Sequence, residues 1–399
     1  MEYQATLKYL ESLIPVNFKQ DLVALSEACH LFDNPSLAFP TIHIAGTNGK
    51  GSTATFLTSI LMHSGYKVGL YTSPHLIDVR ERIQVNRQPI SEQDFVKLTE
   101  EIRKVLPNER YLTYFEFLTL MSFLYFKQQK VDIAVFETGL GGRLDATNVI
   151  KPQVAIITSI SFDHRHHLGA SLADIAKEKC GIIKRGVPTV VAEQQNEVMD
   201  VVRRWCDDQG SPLCVAHPAD ITQPLGLLGK HQKQNASCAV EAAQLLSAMF
   251  KIKKVDEALL NTHWSGRLEQ VNAAPKVLVD GAHNLAGAQV LAEYISETIP
   301  RDKVVLMIGI MQDKDIKGIC RVLAPTAKEI ICVRAPIDRS ASPKDIAAAA
   351  RSYGAEVHVE EEVAQALATW LKKLKKQDIL IISGSLMIVA EAKKYFDKA

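Results

Sequence analysis

The chain has 399 residues, a formal net charge of +1 and the composition of an ordinary globular protein. The near-zero charge excludes a global field that would draw the chain to nucleic acid or to a membrane surface, and the length favours two domains over one core. The seven cysteines are scattered and odd in number, which argues against a disulfide framework.

The N-terminal segment is acidic and amphipathic and lacks the basic start and apolar run of a signal peptide. No apolar stretch approaches the roughly 18 residues that a membrane-spanning helix needs. We therefore expect a cytoplasmic protein that binds neither nucleic acid nor a membrane.

The first half of the chain alternates short apolar runs with longer amphipathic runs. Strand, helix, strand at this spacing predicts a parallel, doubly wound α/β sheet. The predicted strands are 41–45, 67–73, 131–137, 154–160 and 188–192, and the predicted helices lie near 51–64, 91–105, 116–129, 171–180 and 195–209.

A Pro- and Gly-rich segment at 211–232 and a predicted helix near 233–249 separate these elements from a second series of alternating strands and helices. Because the alternating pattern begins again after Gly266–Glu269, we place a domain boundary there and predict domains 1–267 and 268–399. The predicted strands of the second domain lie within 276–284, 304–310, 329–334, 356–359 and 379–384.

The stretch "HIAGTNGKGST" (43–53) resembles a phosphate-binding loop but departs from the common G-x-x-x-x-G-K-[ST] pattern. Gly51 follows Lys50, and Ile44 stands where the first glycine should be. A Gly-rich turn between a strand and a helix still presents backbone N–H groups at a helix N-terminus, which suits a phosphate, and Lys50 supplies a charge. Because a hydroxyl does not follow Lys50, magnesium ligands are expected elsewhere.

Polar residues at the ends of the neighbouring predicted strands are the candidates. Glu137 ends the third strand, Ser73 the second, and His164 follows the fourth in "TSISFDHRHHLG". Taken alone, Glu137 could be a capping carboxylate and Ser73 a turn residue. Parallel strands bring their carboxyl ends together, so with Lys50 they predict one crevice. The bunched histidines do not have zinc-ligand spacing, and we expect His166 and His167 to be exposed loop residues.

Together these motifs resemble the folylpolyglutamate synthase/dihydrofolate synthase family of the Mur-type ligases. The matching stretches run in order through most of the chain: "GTNGKGST", "TSPHL", "TYFEFLT", "ETGLGGRLDATN", "TSISFDH", "IAKEKCGI", "GKHQKQNA", "SGRLEQV" and "DGAHN". The resemblance implies a P-loop-containing Mur-ligase-type ATPase domain and a smaller Rossmann-like C-terminal domain. The stretch 15–40 follows the family's pterin-side loop only loosely.

The resemblance implies an ATP-dependent ligase that phosphorylates a pteroate or folate carboxylate and then joins it to L-glutamate. The substrates would be dihydropteroate and reduced folates, Mg²⁺ the metal, and a monovalent cation a further candidate. We expect a monomer. By resemblance the magnesium ligands are Ser73, Glu137 and His164, and the ATP contacts are Gly46, Thr47, Asn48, Gly49, Lys50, Gly51, Ser52, Asn235, Arg267 and Asp280.

The resemblance implies a functional role for two further residues, and each of them also has a non-functional interpretation. His283 would bind or deprotonate the incoming glutamate, or it is only a helix-start residue. Lys179 matches the lysine that the superfamily carbamylates, or it is a solvated helix lysine. Lys50, Lys179 and His283 are thus the predicted catalytic residues.

The predicted pterin and folate site lies in two stretches. In "LTYFEFLTL" (112–120), Tyr114 and Phe115 could flank a flat pterin ring, and Glu116 could accept from its amino group. The same stretch also fits a helix with core aromatics, of which only the first turn would reach a ligand. The predicted substrate residues are Thr113, Tyr114, Phe115, Glu116, Arg143, Leu144 and Asp145.

Three other functions stay open. The chain could extend folates only, without the dihydrofolate synthase activity. It could be a Mur-type ligase for a UDP-muramyl substrate, although the few residues before Gly46 leave no room for a separate UDP-binding domain. It could also be a nucleotide-gated binding protein without glutamate-dependent turnover.

Overall fold

The computed structural model describes residues 2–13, 21–108 and 111–397. Within them the chain divides into two compact units, one formed by Met1–Gly226 and Gln232–Thr262 and the other by Leu227–His231 and His263–Ala399. We predicted a single break between residues 267 and 268. No helix in the described ranges is long and apolar enough to cross a bilayer.

The first unit is built on a mostly parallel sheet flanked by helices, which confirms the predicted α/β class. Its strands are β1 (Thr41–Ala45), β2 (Val68–Tyr71), β3 (Ile83–Val85), β4 (Gln88–Pro89), β5 (Ile133–Glu137), β6 (Val154–Ile157), β7 (Thr189–Ala192) and β8 (Leu213–Ala216). Its helices are α1 (Tyr3–Glu11), α2 (Val23–Leu31), α3 (Lys50–His63), α4 (Glu92–Val105), α5 (Tyr114–Gln129), α6 (Arg165–Leu168), α7 (Leu172–Cys180), α8 (Asn196–Gln209), α9 (His231–Leu245, whose first residue belongs to the second unit) and α10 (Val255–Leu260).

The order of the described strands in this sheet is β4-β3-β2-β5-β1-β6-β7-β8. The strands from β2 to β8 in that order run parallel, and the hairpin of β3 and β4 adds an antiparallel edge. The central strands are buried along their whole length, which explains why they are continuous apolar runs. The four strands that carry the candidate residues are therefore immediate neighbours.

The second unit has its own sheet and core. Its described strands lie in the order β13-β12-β11-β14-β10-β9, with β9 the antiparallel edge. The strands are β9 (Glu269–Ala273), β10 (Lys276–Val279), β11 (Val304–Ile308), β12 (Glu329–Arg334), β13 (Glu356–Glu362) and β14 (Ile379–Ser383). The helices are α11 (Leu285–Thr298), α12 (Ile316–Leu323), α13 (Pro343–Ala350), α14 (Val363–Trp370) and α15 (Leu386–Phe396).

Several helices begin at side-chain caps whose residue types and spacing are recognisable in the sequence. Thr113 and Glu116 form a reciprocal capping box at α5, and Ser171 and Asp174 form another at α7. These caps fix the first residue of each helix. They therefore set which residues can reach the site.

Candidate active site at the carboxyl edge of the first sheet

The Gly-rich loop after β1 is tied to the end of β6. Thr158 Oγ1 donates to the carbonyl of Asn48 at 2.8 Å, and Thr47 Oγ1 donates to the carbonyl of Ser161 at 3.0 Å. A Cβ at Gly46 would overlap Thr158 Oγ1, and a Cβ at Gly49, where φ is +88°, would overlap the Asn235 side chain. Both glycines are thus required by close approach, and Asn235 lies against the loop.

Two lysines meet at this loop. Lys50 Nζ donates to the carbonyls of Gly46 and Thr47, each at 3.1 Å, and Lys179 Nζ donates to the same Gly46 carbonyl at 2.6 Å. Lys179 is buried, and burial, followed by the nearby Lys50 charge, lowers its pKa to about 7. The alternative that Lys179 is a solvated helix lysine is therefore wrong.

Glu137 ends β5 beside the Gly-rich loop. It pairs in register with Ile44 of β1, its side chain is 5 % exposed, and its Oε2 accepts the backbone N–H of Ser73 at 3.2 Å. The next residue, Thr138, has a buried hydroxyl with no hydrogen-bond partner in the described chain. Mg²⁺ prefers hard oxygen ligands, and the Glu137 carboxylate offers one at this edge of the sheet, so the site fits the metal.

His164 lies at the end of the neighbouring β6. It has left-handed backbone geometry, with φ of 49°, directly before α6. Its side chain is exposed, with Nε2 3.9 Å from Asp163 Oδ1, and its backbone N–H donates to that same oxygen. His166 and His167 are exposed, as we expected.

The loop after β5 is organised by a buried chain of hydrogen bonds. Asp145 accepts the backbone N–H groups of Gly139 and Leu140 on one oxygen, each at 2.8 Å, and Thr147 N–H and Oγ1 on the other. Thr147 Oγ1 in turn lies 2.7 Å from Nε2 of the fully buried His43 in β1. Burial lowers the pKa of His43 to about 3, so the ring is neutral. Both oxygens of Asp145 therefore already serve the loop.

The first turn of α5 lies against this loop. A Cβ at Gly139 would stand 2.6 Å from the Phe115 ring, so the phenyl group packs directly on the glycine. The Tyr114 ring lies 5.5 Å from the Arg82 guanidinium. Glu116 Oε2 accepts from the backbone N–H and the hydroxyl of Thr113, at 2.8 and 2.7 Å. Glu116 is thus engaged as a helix cap.

The other residues predicted on this loop take different positions. Arg143 is exposed and forms an ion pair with Glu178 at 2.9 Å, and Leu144 is half-buried. Gly142 and Gly181 bring the loop close to the end of α7, where Lys179 lies. The loop between β5 and the following short helix is therefore packed beside both Lys179 and Phe115.

The predicted residues of the second unit gather around the loop after β10. Asp280 is buried, and its oxygens accept the N–H groups of Leu268 at 3.0 Å and Ala282 at 2.9 Å. Arg267 Nη1 lies against Gly281, and His283 Nδ1 is 3.0 Å from the Gly281 carbonyl. His231, whose pKa burial lowers, is near both Asp280 and Arg267.

Sequence analysis missed several residues that shape the first site. Thr158 and Ser161 lie in a quoted motif but were not singled out, and His43 was read only as part of a strand. Gln194 donates from its side chain to the Thr158 carbonyl at 2.9 Å and accepts from Ile160 N–H at 3.0 Å. The signal for His43 was a polar residue within an apolar strand; Gln194 had no local signal.

Comparisons with known proteins identify the family of the chain. The Mur ligase middle domain matches residues 44–217, and the Mur ligase glutamate ligase domain matches residues 266–386. The chain is 33% identical to the dihydrofolate synthase/folylpolyglutamate synthase of Bacillus subtilis, over 98% of both chains. It is 29% identical to the folylpolyglutamate synthase of Lacticaseibacillus casei, over 99% of this chain and 98% of that one.

Solved structures give the same result. A Mycobacterium tuberculosis folylpolyglutamate synthase complexed with ADP and AMPPCP superposes with a TM-score of 0.90 at 30% identity, over 99% of each chain. Escherichia coli FolC in complex with DHPP and ADP has a TM-score of 0.91 at 29% identity, over 100% of this chain and 98% of that one. The chain belongs to the dihydrofolate synthase/folylpolyglutamate synthase family of Mur-type ligases.

Proposed function

We propose that this protein is an ATP-dependent ligase that joins L-glutamate to dihydropteroate and to reduced folates. Its relatives carry those activities in their names, and the related FolC structure holds DHPP and ADP. One observation in the chain itself carries the proposal. Lys50 and Lys179 both bind the Gly46 carbonyl of the Gly-rich loop after β1, and the buried carboxylate of Glu137 ends the adjacent parallel strand β5.

The chemistry requires such a site. A carboxylate is a poor electrophile, so its oxygen first attacks the γ-phosphorus of ATP, forming an acyl phosphate and releasing ADP. The glutamate amine then attacks the acyl carbon, and phosphate leaves. In the first step two anions meet, so cations and backbone dipoles must offset their repulsion. Residues Gly46–Ser52 at the start of α3, with Lys50, would bind the phosphates, and Asn235 lies beside them.

Magnesium would be held by Ser73, Glu137 and His164, and it would neutralise phosphate charge. Glu137 and Ser73 are already joined by a hydrogen bond, so the carboxylate is oriented before any ligand binds. His164 extends from the next strand but one in the sheet. A monovalent cation remains a further candidate cofactor.

Carbamylation of Lys179 fits its surroundings. Only the neutral amine reacts with CO₂, and burial lowers the pKa of Lys179 to about 7, so neutral amine is abundant at physiological pH. The carbamate would replace one of two adjacent cations by an anion. Mass spectrometry under native, bicarbonate-containing conditions should show the added CO₂, and acidic, bicarbonate-free buffer should remove it.

The folate side would be formed by Thr113–Glu116 and the loop from Gly139 to Asp145. Phe115 and Tyr114 offer aromatic faces for the pterin ring, whereas Glu116 and Asp145 would act by holding the helix start and the loop in place. Arg143 and Leu144 lie at the outer part of that loop. In the second unit, Arg267 and Asp280 are proposed nucleotide contacts, and His283 is proposed to bind glutamate or accept its amine proton.

The test is ADP release with magnesium, with and without L-glutamate, using dihydropteroate and tetrahydrofolate in turn. Glutamate-dependent turnover on both acceptors is expected. Turnover on tetrahydrofolate alone would reduce the function to folate extension. ADP release that does not depend on glutamate would overturn the ligase and favour a nucleotide-gated protein. Light scattering would test the proposed monomer.

A further inference from the structure

Two arginines lie in the short 3₁₀ helix Val79–Arg82 that follows β2, and they are bound differently. Arg80 is paired with a carboxylate: its Nε lies 3.1 Å and its Nη2 2.8 Å from Asp78. Its guanidinium also lies 5.3 Å from the Tyr3 ring. The charge of Arg80 is therefore neutralised within the protein.

Arg82 has the same kind of aromatic support but no carboxylate. Its guanidinium lies 5.5 Å from the Tyr114 ring, and its Nε donates to His75 Nδ1 at 2.9 Å. Among the described residues, no acidic group pairs with Arg82, and its two Nη groups make no hydrogen bond. The two Nη groups of this half-buried guanidinium are thus unpaired by protein and can donate to an anion.

The contacts of Arg82 fix the direction of these donors. The Nε hydrogen bond and the ring together hold the planar fork, so its Nη edge cannot turn freely. His75 is two residues after Ser73, and Tyr114 adjoins Phe115, which packs on Gly139. Arg82 thus joins the loop that carries the proposed metal ligand to the helix turn that carries the proposed pterin site.

We propose that Arg82 binds the carboxylate of the pteroate-type or folate substrate that is to be phosphorylated. The inference rests on the proposed function and adds a residue to it. A carboxylate approaching ATP is repelled by the phosphates, so it needs a fixed cation of its own. Arg82 meets that need, because its planar fork matches a carboxylate with two parallel hydrogen bonds.

The experiment measures binding of dihydropteroate and of its uncharged carboxamide to the full chain with Mg²⁺ and a non-hydrolysable ATP analogue. The wild type should prefer the acid by roughly 10- to 100-fold, the scale of losing hydrogen bonds to a charged group. Arg82→Gln should bind the acid and the amide equally. Arg82→Lys should recover part of the preference, because it keeps the charge and loses the fork.

Arg80→Gln is the matched control. It removes an arginine from the same short helix, but Arg80 already has a carboxylate partner in the protein. It should keep the wild-type preference for the acid. In turnover, Arg82→Gln should raise KM for dihydropteroate and leave KM for ATP unchanged. A thermal melt of each variant checks the fold, and Arg82→Lys gives the answer if Arg82→Gln does not fold.

Two outcomes overturn the inference and differ in meaning. If the wild type turns over dihydropteroate and Arg82→Gln or Arg82→Lys keeps the full acid preference, Arg82 does not bind the carboxylate, and the proposed function stands. If the wild type neither binds dihydropteroate or tetrahydrofolate nor ligates them, the proposed function fails and the role of Arg82 fails with it.

Discussion

The loop after β1 and the loop after β10 are comparable, since each follows a strand that pairs in parallel with a neighbour and precedes a 14-residue helix. They differ in how the helix begins. No side chain caps α3, and Gly49 precedes it with a positive φ. The Asn284 side chain caps α11 by accepting Gly287 N–H at 2.9 Å.

This difference decides what each loop can bind. In the second loop, backbone N–H groups are bonded by Asn284 and by Asp280, so the protein itself supplies the anionic or polar acceptor. In the first, the helix N-terminus lacks such a side chain, and the side-chain nitrogens of Lys50 and Lys179 both bind carbonyls of the loop. An uncapped helix start with nearby cations favours a phosphate from outside.

The neighbouring strands differ in the same way. Glu137 ends β5 beside β1, whereas the corresponding end of β14 beside β10 is Ser383. A carboxylate next to the first loop allows a metal ion between protein and phosphate, and a serine next to the second does not supply that charge. The same architecture thus gives the first unit a loop suited to an added phosphate, and the second unit a loop whose own side chains hold its N–H groups beside Arg267 and His283.

The largest expected effect comes from Lys50, the first residue of α3, which has no lysine counterpart at the start of α11. Lys50→Ala should lower kcat about 10²–10³-fold, the scale of removing one group that stabilises transition-state charge. The melting temperature should change little, because Nζ contacts only two carbonyls of a half-buried loop. ADP release and a thermal melt measure both. Lys177→Ala, at an exposed lysine of α7, is the control; near-normal turnover of a folded Lys50→Ala would remove Lys50 from the mechanism.

The next effect concerns the carboxylate that distinguishes β5 from β14. Glu137→Gln should raise the magnesium concentration for half-maximal ADP release by about 10-fold or more, because an ionised oxygen ligand becomes an amide. His164→Ala should shift the same midpoint in the same direction. His166→Ala, in an exposed neighbour, should not. An unchanged magnesium midpoint in both Glu137→Gln and His164→Ala would place the metal elsewhere.

Whether a strand could be predicted from the sequence depended on how deeply it is buried. Strands buried on both faces read as apolar runs, so β1 and β12 were predicted to the residue. The edge strand β9, with the half-exposed sequence EQVNA, and the hairpin β3–β4 were missed, because mixed polarity hides a strand. The strand β13 runs on to Glu362, three residues beyond the prediction, because acidic side chains on an edge strand resemble a loop.

The site divides in the same way. The placement of Lys50, Glu137 and Ser73 along one edge of the sheet was predictable, because strand ends are local features and parallel strands end at the same edge. The burial of Lys179 was not, since it depends on Gly46, which is 133 residues away. The T-x-x-E spacing of Thr113 and Glu116 did signal a capping box, and we read the carboxylate as a pterin contact. Residues 15–20 of the loosely matching N-terminal stretch lie outside the described residues, so nothing here tests them.

A smaller effect tests the charge beside the first loop. The pKa of Lys179 is lowered to about 7 from the ordinary 10.5, so between these values the unfolded chain binds a proton that the folded chain does not. Burial of the charged ammonium therefore lowers the unfolding free energy by its full amount below pH 7. This loss shrinks as pH rises, because the folded chain then holds the neutral amine. In CO₂-free buffer without nucleotide, the unfolding free energy should rise with a slope of about 1.4 kcal/mol per pH unit from pH 7 to 9.

Lys179→Met is the variant that isolates this effect. It keeps an unbranched chain and has no titratable group, so the slope should disappear from the difference between wild type and variant. The measurement is urea unfolding at several pH values. A parallel pH dependence in both proteins would show that Lys179 stays charged and water-accessible. Partial recovery of Lys179→Ala activity by added short carboxylates would separately support a carbamate in the working enzyme.

The smallest expected effect belongs to the cap that closes the second loop. Asn284→Ala leaves Gly287 N–H without its side-chain acceptor and should destabilise α11 by about 1 kcal/mol. Asn284→Ser keeps an oxygen at the same place and should cost less, which separates the cap from other effects of the substitution. Urea unfolding measures both.

If the contrast between the loops is only one of capping, Asn284→Ala would gain inorganic phosphate binding at α11, seen as phosphate-dependent stabilisation of that variant alone. We expect no such gain, because this loop has neither the Gly49 geometry nor a lysine like Lys50, and because Asp280 still accepts the N–H of Ala282. An uncapped helix start would then be necessary for the first site but insufficient without its cations.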